Sequence, residues 1–146
     1  MIKLFYIIIA IPFLCLASPK YNSATSGSNE IKTIECSSER TTLDISICKS
    51  KELELAKNEL SKYLKASIEH NSSDPKLIES IKKAQSDWTA YFESHCNAIS
   101  IQWREGSFGV IMHIECETKL TKKRTHEIWE NFLTYMDSSA VLPEPK

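Results

Sequence analysis

The sequence predicts an all-α fold, an antiparallel bundle of three long helices stapled by two disulfides. Apolar residues recur at spacings of three and four through three separate runs, the pattern of helices that each bury one face. Turn and capping residues divide the runs, and four cysteines follow an export-type leader. At 146 residues, with no internal repeat or low-complexity tract, the chain supports one folded domain.

Met1-Ile2-Lys3 places one positive charge ahead of an apolar run from Leu4 to Leu16, with small residues at Cys15 and Ala17. Residues 1–17 therefore read as a secretory signal peptide cleaved after Ala17, and the protein as periplasmic or secreted. The apolar run is shorter than the ~20 residues that cross a bilayer. Pro12 interrupts it, so no membrane anchor is expected after cleavage. Cys15 follows Pro12-Phe13-Leu14, whereas a lipid-modified cysteine needs small residues ahead of it. Cleavage removes Lys3 and leaves 17 basic and 19 acidic residues, a formal charge of −2. That near-balance argues against nucleic acid as a partner. It also leaves Cys36, Cys48, Cys96 and Cys116, an even number that in an exported chain reads as two disulfides.

Residues 18–35 are rich in Ser, Asn and Thr and poor in large apolar side chains, so they are expected to form a flexible lead-in. The helical domain follows over residues 36–137. Thr41 with Asp44 three residues on resembles a capping box, and Leu53, Ala56, Leu60, Tyr63, Leu64 and Ser67 form the first stripe, so helix 1 runs from about Thr42 to Glu69. Asp74-Pro75 starts helix 2, because Asp can cap free amides and Pro suits the first helical position. Its stripe includes Ile81, Ala84, Gln85, Trp88, Tyr91, Phe92, Cys96 and Ile99. The pattern breaks from Ile99 to Ser107, where Gly106-Ser107 offers a flexible residue and a cap. Helix 3 then continues through Ile111, Ile114, Leu120, Ile128, Phe132, Tyr135 and Met136, with an unusually polar middle at Thr118, Thr121 and Arg124. The tail, residues 138–146, carries two prolines and is expected to be disordered.

The ordered set Cys36, Cys48, Ala56, Leu60, Tyr63, Ala84-Gln85, Trp88, Tyr91, Cys96, Gly106-Ser107, Cys116, Leu120-Thr121 and Arg124 resembles the LprI-type lysozyme inhibitor family, small exported bacterial proteins with four cysteines. The resemblance covers about Cys36 to Ile128. It implies a binding protein that occludes the cleft of a lysozyme or related peptidoglycan hydrolase. One departure stands out: the family's aromatic-Arg-Asp step before the third cysteine is Tyr91-Phe92-Glu93 here. The alternative is an exported adaptor domain with an unrelated protein partner. Of the three pairings that four cysteines allow, Cys36–Cys48 and Cys96–Cys116 are expected, since each pair then brackets the entrance to a helix.

Catalytic chemistry finds no foothold in the sequence. No pair of acids has a context that would separate their pKa values, and Gly106-Ser107 only half matches a nucleophile elbow and follows no strand. A zinc site built from His95, Cys96, His113 and Cys116 competes with oxidation of the thiols and lacks a paired Cys-x-x-Cys. No enzyme activity, metal or cofactor is therefore expected. His70 and His126 read as solvated, and Lys119, Lys122 and Lys123 as a solvated face. Gln85, Trp88, Tyr91 and Arg124 read as structural, with Arg124 tied to an acid or amide of helix 2. Trp103, Arg104, Glu105 and Ser107 are the candidate binding residues, lying outside every helical stripe and enclosed by Cys96 and Cys116. A competing reading folds Trp103 back as a lid on the end of helices 2 and 3.

Overall fold

The structure is a computed structural model that describes residues 36–37, 41–134 and 139–146, all within the compact unit Thr33–Lys146. The expected leader, its expected cleavage site and the expected lead-in lie outside the described residues. Three helices, α1 (Thr42–His70), α2 (Pro75–Gln102) and α3 (Gly109–Phe132), make up the domain, with no strand among the described residues.

The local signals act at the helix starts. Thr41 and Asp44 form a reciprocal capping box: the Asp44 amide donates to Thr41 Oγ1 at 3.1 Å and the Thr41 amide to Asp44 Oδ2 at 3.0 Å. Asp74 Oδ1 accepts from the Leu77 amide at 3.0 Å, with Pro75 opening α2. α1 ends at Asn71, whose side-chain amide donates to the Ser67 carbonyl at 2.8 Å and to the Phe132 carbonyl at 3.4 Å. The C-terminal ends of α1 and α3 therefore lie together, as their N-terminal parts do where Lys49 meets Glu115. α1 and α3 are parallel, and α2 runs antiparallel between them in sequence, since Cys96 bonds to Cys116 and Gln85 meets Arg124.

α3 is the central helix and packs against both others. Its polar middle is a contact surface: Thr118, Thr121 and Thr125 are buried, facing a line on α1 that includes Ala56, Leu60, Tyr63 and Ser67. Thr118 Oγ1 donates to the Ile114 carbonyl at 2.8 Å and Thr125 Oγ1 to the Thr121 carbonyl at 2.9 Å. These bonds back to the preceding turn satisfy the hydroxyls and leave small, partly apolar surfaces for α1. Thr121 Oγ1 is buried with no hydrogen-bond partner. The core then gathers at the far end around Leu60, Tyr63, Ile128 and Leu133, with Trp88, Trp129 and Phe132 packed on it.

Four expectations are corrected. Tyr91 is 51% exposed, because the buried line of α2 runs through Trp88, Phe92 and Cys96 and leaves position 91 rotated about 100° away. Phe92 is instead core, its ring 4.9 Å from that of Trp88 and with Lys57 Nζ 5.5 Å above it. α2 continues to Gln102, since Ile99-Ser100-Ile101-Gln102 loses the apolar stripe without containing a helix breaker. α3 starts at a Phe108 cap that makes no side-chain hydrogen bond, so Ser107 does not cap it, and it ends at Phe132; Tyr135 and Met136 lie outside the described residues.

The tail also departs from the expected disorder. Residues 139–146 return over the core: the Val141 amide donates to the Leu133 carbonyl at 2.9 Å, Trp129 Nε1 to the Leu142 carbonyl at 2.9 Å, and the Tyr63 hydroxyl to the Pro143 carbonyl at 2.7 Å. His126, rather than being merely solvated, has Nε2 3.1 Å from Glu144 Oε1 and its ring beside Trp129. Buried phenol and indole groups need partners, and the backbone of the tail supplies them.

Two outcomes test this account by denaturant unfolding. Tyr63→Phe should cost about 1 kcal/mol by leaving the Pro143 carbonyl without its donor. Thr121→Val should stabilise by about 1 kcal/mol, since it replaces a buried unsatisfied hydroxyl with a methyl of the same size.

Candidate functional site

The end of the α2–α3 hairpin is built by backbone first. The Trp103 amide donates to the carbonyls of Ile99 and Ser100, both at 3.2 Å, and the Arg104 amide to the Ile101 carbonyl at 3.3 Å, tightening the last turn of α2. After Glu105-Gly106-Ser107, the Met112 amide donates to the Phe108 carbonyl at 2.9 Å and α3 begins. Gly109 is buried, and a Cβ there would stand 3.1 Å from the Trp103 carbonyl oxygen. The glycine allows the first turn of α3 to press on the backbone of the tip. Below it, Cys96 and Cys116 bridge the two helices, their Cα atoms 5.5 Å apart. A loop of this length contributes about 3 kcal/mol by restricting the unfolded chain.

This restrained tip carries the side chains that look outward. Ile101, Trp103, Phe108 and Val110 are 53%, 48%, 50% and 64% exposed, a concentration of large apolar surface within ten residues. Trp103 and Phe108 line one shallow concavity of about 270 Å³ together with Gln102, Glu105 and Gly106. Trp103 is thus neither a closed lid nor fully free. Arg104 is engaged within the tip: Nε lies 3.2 Å from Glu105 Oε1, and Nη1 donates to the Ile101 carbonyl at 3.2 Å. Sequence reasoning singled out Trp103, Arg104, Glu105 and Ser107 but missed Ile101, Phe108 and Val110. The signal for those three was an apolar residue where the helical stripe has no place for one.

A second group stands apart. Gln85 lies 18 positions before Trp103 on α2, roughly 27 Å along the helix axis. Arg124 Nε donates to Gln85 Oε1 at 3.1 Å and Nη1 to Glu127 Oε2 at 3.3 Å, while its side chain is only 13% exposed and Nη2 is buried without a partner. The pair braces α3 against α2, and Trp88, half-buried, packs on the core nearby in sequence.

The four cysteines among the described residues are consumed by the two disulfides, Cys36–Cys48 and Cys96–Cys116. His113 Nδ1 is 2.9 Å from the Cys96 carbonyl, which can only accept, so this nitrogen is the donor, and Nε2 is 3.4 Å from Glu117 Oε1. No cluster of three or more metal-ligating side chains occurs among the described residues, and none of their helices is long and apolar enough to cross a membrane.

The resolved pKa shifts belong to the α1–α3 contact and the core. A hydrogen bond from Lys122, aided by the charges of Lys122 and Lys49, holds Glu52 below the usual carboxylate value despite partial burial. A hydrogen bond to Glu115 raises Lys49, with burial opposing. Burial raises the Tyr63 hydroxyl, and the charge of Glu59 adds to it.

Fold and tip together define a disulfide-stapled helical module that presents a rigid apolar end. The chain belongs to the family described as lysozyme inhibitor LprI, whose model matches residues 34–128 and so spans the tip, both disulfide-bonded hairpin helices and the Gln85–Arg124 brace. It is also similar to an uncharacterized protein, R02472, of Rhizobium meliloti (strain 1021), at 28% identity over 107 residues, which cover 66% of this chain and 77% of that protein. No solved structure matches it. Disulfides and family both point to an exported protein.

The sign of the Glu52 shift sets a pH test. A depressed carboxylate adds stability that is present above the usual value of 4.5 and lost as pH falls through its lower folded value. For Lys49 the contribution is complete below 10.5 and lost as pH rises through its higher folded value. The stability gap between the wild type and Glu52→Gln should therefore be largest near neutrality and shrink below pH 4.5. A gap that persists undiminished in acid would mean that the Glu52 charge adds no stability.

Proposed function

We propose that the protein is an exported inhibitor that occludes the active-site cleft of a lysozyme or related peptidoglycan hydrolase with the tip of the α2–α3 hairpin. Family membership supports the inhibitor class. The observation that carries the choice of surface is the half-exposed Trp103 and Phe108 pair, held by a tight backbone turn above the Cys96–Cys116 bridge. Inhibition by occlusion needs no catalytic group, only a rigid shape that enters a concave site. A loop restrained before binding loses little further freedom on association, which preserves affinity.

The roles within the tip are unequal. Trp103 supplies the apolar area that fills a sugar subsite. Arg104 already has Glu105 as a counter-charge, so pairing with an acidic catalytic group requires exchanging one carboxylate for another. Trp103 therefore contributes more to binding than Arg104, and Glu105 and Ser107 stand at the rim.

The test is inhibition of peptidoglycan hydrolysis by a lysozyme, measured alongside the thermal melt. Trp103→Ala should weaken inhibition by about 30-fold or more, the effect of losing an interface hot spot, and Arg104→Ala by less, with both melts near wild type. Undiminished inhibition by the Trp103→Ala, Arg104→Ala double variant would place the surface elsewhere. A wild type that inhibits no lysozyme or related hydrolase would favour an adaptor role with another protein partner.

A further inference from the structure

The end of the bundle opposite the tip carries a seat that the chain's own tail fills. The tail runs back along α3: the Val141 amide donates to the Leu133 carbonyl, the Leu142 carbonyl accepts from Trp129 Nε1 one turn earlier, and Glu144 reaches His126 one turn before that. Three tail residues thus cover the helical steps from Leu133 back to His126, roughly 10 Å, which demands a drawn-out chain at about 3.3 Å per residue. From α1, the Tyr63 hydroxyl donates to the Pro143 carbonyl. Two aromatic side chains on different helices therefore donate to consecutive carbonyls, while Leu142 packs on the cluster of Leu60, Tyr63, Ile128 and Leu133.

The segment Leu142-Pro143-Glu144-Pro145 suits such a seat. A residue before proline is steered to extended or polyproline backbone, and Leu142 and Glu144 each precede one. Pro143 and Pro145 also have no amide hydrogen to leave unpaired against apolar side chains. Aromatic-lined grooves are the surfaces on which folded domains take proline-rich segments, because such segments are already extended and lose little freedom on docking. We infer that the seat formed by Tyr63, Trp129 and Leu133 is a binding site for proline-rich peptides, and that the tail is its occupant in cis. The partner it fits is a protein segment of the tail's own chemistry, an aliphatic residue followed by proline, an acid and a second proline.

The contrast between seat and tail is what permits exchange. Tyr63 and Leu133 are buried, at 2% and 0% exposure, whereas no residue of 139–146 is buried and only Leu142 and Pro145 are half-buried. An element with so few buried apolar contacts opens at a small fraction of the cost of global unfolding. When it lifts, the Tyr63 and Trp129 donors and the Leu142 socket face solvent together, and His126 stands ready for an incoming acid. The contacts run through backbone groups, one leucine and one carboxylate, and none of them depends on the covalent link between tail and α3. The seat lies at the far end of the molecule from Trp103, so it stands independently of what the tip binds.

Leu142→Asp in the full oxidised chain vacates the seat, and Leu142→Ala serves if that variant does not fold. A synthetic peptide of residues 140–146 should then bind, half-saturating at or below about 1 mM and shifting the Trp129 indole N–H resonance. The wild type should take the same peptide about tenfold more weakly or worse, since its tethered tail competes. Replacing both prolines of the peptide with alanine should weaken binding by about tenfold or more, and adding Tyr63→Phe to the vacated chain by about fivefold. In the wild type, the Val141 amide should exchange with solvent at least about tenfold faster than the core amides of α1 and α3. No binding to the vacated seat, equal binding of the alanine peptide, or protection of Val141 equal to that of the core would each overturn the inference.

Discussion

The contact between α1 and the threonine line of α3 is the constraint on which the remaining architecture rests. α3 must bury Thr118, Thr121 and Thr125 in the middle of the molecule, and hydroxyls survive there because two of them bond back to their own helix. Small residues bring α1 and α3 close, and the ion pairs Lys49–Glu115, Lys57–Glu117 and Lys122–Glu52 flank the contact. Surface pairs of this kind add little individually, but they fix the register of two parallel helices that share no short connection. Once α3 is set against α1, only its other flank is open to α2, and the hairpin tip is carried beyond the core.

That displacement explains the division of labour in the chain. The large side chains Tyr63, Ile128, Leu133 and Trp88 gather at one end, where the tail folds across them. The tip at the opposite end lies beyond that cluster, with Cys96, Ile111 and Ile114 the nearest buried apolar residues. Its rigidity comes from the Cys96–Cys116 bridge, the tightened last turn of α2 and the close approach that Gly109 permits. Apolar residues that would be core elsewhere, Ile101, Trp103, Phe108 and Val110, are therefore held out in solvent. Phe92 shows the reverse: its ring is buried, with Lys57 above it.

Much of the fold was legible from periodicity and end signals. The Thr41–Asp44 box and Asp74-Pro75 mark helix starts by chemistry confined to four residues, and four export-compatible cysteines announce two bridges. Arg124 was recognisable as tied to an acid or amide of α2, because a guanidinium on a half-buried face needs an acceptor, and the structure makes that acceptor Gln85. The site was legible only in part. Trp103 stood out because it broke a stripe, whereas Phe108 and Val110 adjoin the start of α3 and carry no such mark.

Local pattern alone thus determined that this protein is three helices, two of them started by side-chain caps, tied by two disulfides, since caps and periodicity act over a few residues and survive any packing. Tertiary structure decided which face of each helix was spent. Tyr91 and Phe92 are neighbours with equal claim to the core, and a rotation of about 100° sends one to solvent and the other inward. The proline-containing tail looked unfit to order, yet the buried tyrosine and indole of α1 and α3 needed acceptors that only its backbone could bring. Such needs arise between segments some 80 residues apart, as for Tyr63 and Pro143, and no local pattern encodes them.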